Sequence, residues 1–397
     1  MATFFLLIIY LAFISLGLPD SLLGAAWPAM HGPLGAPLGA AGLLSMTITV
    51  GTILSSLATG RLIGRFGTGA VTLVSVAMTA LALLGFAFSP GWGWLALFAI
   101  PLGLGAGAVD AGLNHYVAAN YAARHMSWLH SFWGVGATLG PVIMAQAIQG
   151  GDWRDGYAHV AYLQLGLVAV LLASLPLWKK VARSRQGEGA DEASDLTVSS
   201  GAAVKPIRLP GVKLALGSFL FYCGVEATLG LWGSSYLVGT KGFASDEAAK
   251  WISFYYGGIT VGRFLTGFLT VRISNRSLIR GGQALALVGT LLLLAPLPPV
   301  FSLAGFIVIG LGLAPIFPCM LHETPARFGS GPAQTIIGYQ MAVAYTGSTL
   351  LPPLFGLIAG TFAVSLLPAY LLLSAAAMWL CSERLNARLA MKAAGRT

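Results

Sequence analysis

Four acidic residues stand inside long apolar stretches of this 397-residue chain: Asp20, Asp110, Glu226 and, nearer the end of its stretch, Glu323. A charged group at bilayer depth costs roughly 2.5 to 3.5 kcal/mol on insertion scales, so such a residue marks a functional site by default. Burial penalises the charged form of a carboxyl group, which can bring its proton into the range where it is bound and released during a working cycle. Proton coupling is therefore the chemistry expected of Asp20, Asp110 and Glu226. Glu323 reads as an interfacial or structural acid. For each of the others the plainer alternative is a hydrogen-bonded structural carboxyl.

Asp110 lies in a stretch from Gly103 to Pro141 that also holds Asn114, His115, His130 and Trp133. On a helix Gly103, Gly107, Asp110 and Asn114 fall on one stripe, at i, i+4, i+7 and i+11. The glycines allow a neighbouring helix or a ligand to come close, and the carboxylate and amide can then face a cavity rather than lipid. Aromatic and amide groups recur in the other apolar stretches: Tyr10, Trp27, Tyr222, Trp232, Tyr255, Tyr256, Tyr339, Gln340 and Tyr345. Apolar ring faces beside hydrogen-bonding groups suit a neutral, polyhydroxylated ligand such as a sugar. The expected ligand contacts are Asp20, Asp110, Asn114, His115, His130, Trp133, Tyr222, Tyr256 and Gln340. Packing or a place in the interfacial aromatic belt is the alternative for most of the rings. Arg263 reads as structural, paired with Glu323 or with carbonyls at a helix end. That leaves no arginine at the midplane, and an anionic substrate is disfavoured.

The elements that must position these residues follow from composition. Hydrophobic residues make up 56% of the chain and charged residues 9%, against about 25% charged in soluble domains, and the mean hydropathy is +0.80. This is an integral membrane protein of the all-α class. Twelve apolar runs are long enough to cross about 30 Å of hydrocarbon as helices: 3–30, 39–60, 70–88, 93–120, 126–149, 157–178, 211–238, 247–271, 277–297, 300–321, 332–358 and 361–383. Two six-helix bundles are expected, at 1–178 and 210–397, joined by a polar, flexible linker at 179–209. The first run is too long for a signal-peptide core and lacks its flanks. Cys223, Cys319 and Cys381 are isolated in apolar sequence and read as small buried residues, with neither a disulfide framework nor a metal site implied.

The net charge of +9 does not indicate nucleic acid, because the basic residues sit in short loops beside the apolar runs. Arg61, Arg65, Arg124, Lys179, Lys180, Arg272, Arg276, Arg280, Arg327, Arg384 and Arg388 fall on one side and only Arg154, Lys241 and Lys250 on the other. The positive-inside bias then places both termini in the cytoplasm. The halves are also related in sequence. GRLIGRFG from Gly60 matches GFLTVRIS from Gly267 at Gly, Leu and Arg; the same offset of about 207 residues, the period of a two-bundle repeat, takes Gly103 to Gly310, Gly105 to Gly312 and His115 to His322. A parallel six-helix repeat is how one class of transporter is built, with its site between the halves. There is no HExxH, GxSxG or GxxxxGK[ST] motif, so neither hydrolysis nor ATP-driven pumping is supported, no cofactor is expected, and energy must come from a gradient.

Twelve spans in two halves, the GRLIGRFG turn between the second and third, and its degenerate copy at Gly267 resemble the major facilitator superfamily. LPDSLLGAAWP at 18–28, VDAGLNHYVA at 109–118, MSWLHSFWGVGATLGP at 126–141 and GRFLTG at 262–267 are similar to its fucose/glucose/galactose:proton symporter branch. That resemblance implies sugar binding and proton coupling at Asp20 and Asp110, with Asn114 and His130 at polar positions of the site. Where the fucose symporter has a glutamate this chain has Asp110, and His130 stands where an amide is usual, so fucose itself is not implied. The expectation is a monomeric, proton-coupled carrier of a small neutral solute in a bacterial inner membrane, working by alternating access, with Gly60, Arg61, Gly64 and Arg65 latching its cytoplasmic side. A proton-antiport exporter of drugs or lipid-like amphiphiles, and a receptor or scaffold without transport, are the alternatives.

Overall fold

A computed structural model of the protein describes residues 2–121, 123–186 and 206–393, and their regular structure is helical. Each crossing closes most of its backbone hydrogen bonds within itself, as a chain in hydrocarbon must, with a side chain of a neighbouring helix serving where the first span is broken. The first span is α1 (Ala2–Asp20) and α2 (Leu22–Met30), broken at Ser21. Then come α3 (Ala40–Phe66), α4 (Thr68–Ala87), α5 (Trp92–Asn120), α6 (Ala123–Gly150) and α7 (Trp153–Gln186). The second half has α8 (Val212–Lys241), α9 (Ser245–Leu269), α10 (Asn275–Leu294), the broken pair α11 (Val300–Leu313) and α12 (Ile316–Phe328), α13 (Ser330–Thr361) and α14 (Leu367–Ala393).

Eleven of the twelve spans are long and apolar enough to cross a membrane by those criteria alone. The twelfth, α9, falls short because it carries Arg263, Tyr255, Tyr256 and four glycines. It is nevertheless packed on α6 and α11 like its neighbours. α7 runs on to Gln186, so the first eight residues of the expected linker are helical. Of the rest, 187–205, which includes Lys205, lies outside the described residues, and Pro206–Arg208 form one short 3-10 turn ahead of α8.

The repeat recurs in the geometry. α4 and α10, and α6 and α13, begin 207 residues apart. In the first half α1 packs on α6 and α7, α4 packs on α5 and α7, and α3 packs on α5. Six spans later α8 packs on α13 and α14, α10 on α11 and α14, and α9 on α11. Two symmetry-related seams join the halves, α6 against α9 and α3 against α13, with α2 against α8 between them.

Burial shows how these halves lean. One core is shared by both, and includes Trp27, Met30, Trp153, Tyr157, Trp232, Tyr236 and Phe355. These lie toward the end of the bundle remote from residues 2 and 393. Toward the other end, which we call the terminal end, each half has a core of its own: Ile9, Phe13, Leu113 and Trp178 in the first, and Val212, Leu216 and Ile336 in the second. The halves therefore meet at the far end and part at the terminal end. Glycine makes the far closure possible: a Cβ on Gly24 would strike the Gly230 backbone, and one on Gly42 the Pro353 backbone.

Pro19 explains the break in the first span. Proline has no N–H for the carbonyl four residues back and its ring crowds that carbonyl. Here the orphaned carbonyl, Ser15, accepts instead from Gln164 Nε2 at 2.8 Å, and Gln164 Oε1 accepts from Thr79 at 3.0 Å. α7 and α4 thus hold the bend that ends α1 on Asp20.

Candidate functional site

Asp20 ends α1 at this bend and is exposed to the space between the halves. Its Oδ2 accepts from Trp133 Nε1 of α6 at 2.8 Å. The Trp133 ring lies under the Arg263 guanidinium of α9, 5.2 Å from the ring centroid. Arg263 Nη2 is 3.5 Å from Glu226 Oε1 of α8, and the other Glu226 oxygen accepts from the Tyr222 hydroxyl. Tyr255 donates to the Glu226 main-chain carbonyl at 3.0 Å. One chain of contacts, Asp20 to Trp133 to Arg263 to Glu226 to Tyr222, therefore crosses from one half to the other. Both charged side chains of the ion pair are mostly buried, at 16% and 19% exposed; at that depth the pair offsets its lost hydration only through good geometry and further donors, and Tyr222 is such a donor.

The glycine stripe of α5 behaves as its spacing predicts. Gly103 and Gly107 press their backbone onto α3, where a Cβ would collide with the carbonyls of Ile48 and Thr52. Thr52 donates to the Gly103 carbonyl at 3.3 Å and Ser56 to the Gly107 carbonyl at 3.1 Å. One turn further on, half-buried Asp110 accepts from Asn114 Nδ2 at 2.8 Å. Asp110 is within electrostatic reach of Asp20 and of Tyr345 on α13, whose hydroxyl lies near Ser56 across the second seam. Tyr256 lies within reach of Asp20 and Glu226. His130 is exposed, with its ring perpendicular to that of Phe13 and within electrostatic reach of the Arg263 guanidinium.

Asp20, Asp110, Asn114, His130, Trp133, Glu226, Tyr222 and Tyr256 are thus drawn together where the halves face each other, with Asp20 and His130 exposed and Tyr222 and Tyr256 buried. Two expected residues stand apart. Gln340 is 1% exposed and accepts from Thr324 at 2.9 Å, tying α12 to α13. His115 is exposed about 100° around the helix from the stripe that carries Asn114. Arg263 departs from its expected partners: Glu323 binds Arg327 at 3.4 Å and Asn275 at 3.3 Å at the terminal end, and Arg263 pairs with Glu226. The sequence pattern missed this because partner choice depends on how α8 faces α9. Ser56 went unmarked among many similar residues, and Tyr345 was named only as one of the rings, outside the expected ligand contacts; their position on the second seam is the signal that singles them out. Gly60, Arg61, Gly64 and Arg65 form the last turns of α3, all exposed, and neither glycine meets another element. The cysteines are free, with Cys223 and Cys319 buried.

The family model of the Major Facilitator Superfamily matches residues 9–352. The chain belongs to the major facilitator superfamily. It is a multi-pass membrane transporter, not an enzyme, and takes a small-molecule substrate. Among its relatives is "Bypass of stop codon protein 6" of Saccharomyces cerevisiae, 25% identical over 80% of this chain and 69% of that one. The glucose/mannose transporter GlcP of Bacillus subtilis is 25% identical over 62% of this chain and 61% of its own length. The crystal structure of a D-xylose-proton symporter has the same fold, with a TM-score of 0.70 at 16% identity, covering 94% of this chain and 96% of that one. As a major facilitator protein the chain has its candidate site where the two halves face each other, the position expected for a parallel six-helix repeat.

Proposed function

We propose that the protein is a proton-coupled symporter of a neutral monosaccharide, working by alternating access. The observation that carries this reading is the pair Asp20 and Asp110, two carboxyls of one half that face the opening between the halves, each with a single side-chain donor. Each keeps an oxygen for another partner. A protonated carboxyl donates its O–H to a sugar hydroxyl and still accepts through its other oxygen, so a sugar that binds the protonated form better tightens proton binding by the same factor, which is the positive coupling that symport needs. Asp110 is the principal proton carrier and Asp20 the second. Asn114 fixes one Asp110 oxygen; Trp133, Tyr256 and His130 supply ring faces and donors that suit a sugar. The relation to a glucose/mannose transporter supports the substrate class.

In this reading the terminal end is cytoplasmic and the membrane is the cell membrane. Arg61, Arg65, Arg272, Arg276, Arg280, Arg327, Arg384 and Arg388 cluster at that end, whereas Arg154, Lys241 and Lys250 flank the far end, as positive-inside bias requires. The opening then faces the cytoplasm. The exposed turns of Gly60, Arg61, Gly64 and Arg65 are free to dock when the halves rock to the other state.

A second reading, export of an amphiphile by proton antiport, draws on a groove of about 900 Å³ at the α6–α9 seam. Its walls include Phe254, Val261, Ile307 and Leu311, and its rim Gln149, Asp246 and Lys250. Asp110→Asn tests the coupling common to both readings. In proteoliposomes the variant is expected to fold normally and to lose uptake of labelled D-glucose, D-mannose or D-xylose driven by a pH gradient. Gradient-driven uptake at the wild-type rate would remove Asp110 from the mechanism.

A further inference from the structure

The two seams between the halves carry unlike chemistry. On one, the Tyr345 hydroxyl of α13 meets Ser56 of α3. On the other, Arg263 of α9 rests on Trp133 of α6. Ser56 and Arg263 are 207 residues apart, the offset of the repeat, so they hold equivalent places in the two halves. The seam itself does not need a guanidinium, since a serine serves at the matching place. The cation is held by Glu226 of its own half, and its contact in the other half is the ring whose N–H is committed to Asp20.

We propose that Arg263 is the coupling residue of the transport cycle: it reads the charge on Asp20 through Trp133 and is shared between Glu226, within its own half, and Asp20, across the seam. This rests on the reading of Asp20 as a proton-carrying group. With Asp20 charged, the guanidinium is drawn to carboxylates on both sides and ties α9 to α1 and α6. With Asp20 neutral, Glu226 alone retains it, and the attraction across the seam is lost. Burial sharpens the difference, because two charges attract far more strongly in a low dielectric than in water. The other groups facing this pair are Asp110 from α5, His130 from α6, Tyr222 and the Cys223 thiol from α8, and Tyr255 and Tyr256 from α9. Trp133 acts as a positioning residue: its ring holds the cation while its N–H holds the acid.

The test needs no substrate. Spin labels are placed at the terminal end through Phe66→Cys on α3 and Val271→Cys just after α9, both exposed, in a chain whose three native cysteines are replaced. The distance between them is measured in lipid nanodiscs from acid to alkaline pH. The wild-type background is expected to shift its distance distribution with pH. Arg263→Gln, and the double variant Arg263→Gln with Glu226→Gln that leaves no unpaired charge, are expected to lose the shift, and Arg263→Lys to keep part of it. Arg280→Gln, which breaks the Arg280–Glu383 pair at the terminal end, is expected to keep all of it. A full pH shift in the double variant would overturn the role of Arg263 and leave proton coupling standing. Equal loss in Arg263→Lys and Arg263→Gln would also overturn it, since a charge-sensing role requires the lysine to differ. A wild-type background that ignores pH would remove both the coupling residue and the proton-carrying role of Asp20.

Discussion

Trp133 touches charges of opposite sign: its indole N–H donates to Asp20 and its face carries the Arg263 guanidinium. A hydrogen bond to a charged group contributes about 1.5–3 kcal/mol. Trp133→Phe keeps a face for the cation and removes the donor, so it is expected to slow proton-driven sugar uptake roughly tenfold or more, measured as initial rates in proteoliposomes. A rate within twofold of wild type would show that Asp20 does not depend on this donor. Much of this residue-level picture was legible beforehand. Asp20, Asp110, Asn114 and Trp133 are polar groups in apolar runs, and their expense at bilayer depth singles them out. The pairing of Arg263 with Glu226 was not legible, because it is fixed by two helices meeting side by side rather than by spacing along either. Gln340 sits in an apolar run like the others, yet its amide serves the packing of α12 on α13. Residue type alone does not separate an amide turned toward a cavity from one turned toward a neighbour.

At the scale of the helix, Pro19 and Gln164 set the height and direction of Asp20. Gln164→Leu leaves the Ser15 carbonyl and the Thr79 hydroxyl without this partner in a buried position, which costs about 1–3 kcal/mol. The expected outcome is a lower melting temperature in detergent, with a loss of transport larger than the loss of folded protein. Gly107→Val drives a branched side chain into the Thr52 carbonyl and the Ser55 hydroxyl. Overpacking of this kind costs about 1–3 kcal/mol, and the variant is expected to fall in thermal stability by a comparable amount in the same assay. Span existence was readable from apolar length alone. Span ends were not: α7 and α12 extend past their hydrophobic runs on polar residues, where helical propensity rather than hydropathy decides. α9 is a converse case, a span kept in the bundle by packing on α6 and α11 although its Arg263 and tyrosines lower its hydropathy.

Across the whole molecule, a shared core at the far end and separate cores at the terminal end make an opening that faces one side only. The sequence offset of 207 residues foretold the two-fold repetition of helix pairing. It could not foretell which end is closed, since in the proposed cycle both states use the same sequence. If the terminal end is cytoplasmic, a cysteine placed at exposed Val271 is expected to react with a membrane-impermeant maleimide in everted vesicles and to be protected in intact cells; the reverse pattern would invert the assignment. The most direct measurement of the central claim is proton movement in proteoliposomes on addition of D-glucose, D-mannose, D-xylose and a set of amphipathic drugs. Symport predicts that the outside medium turns alkaline when at least one of the sugars is added, and that Asp110→Asn abolishes the signal. No response to any sugar, with proton release or uptake evoked only by an amphiphile, would contradict sugar symport.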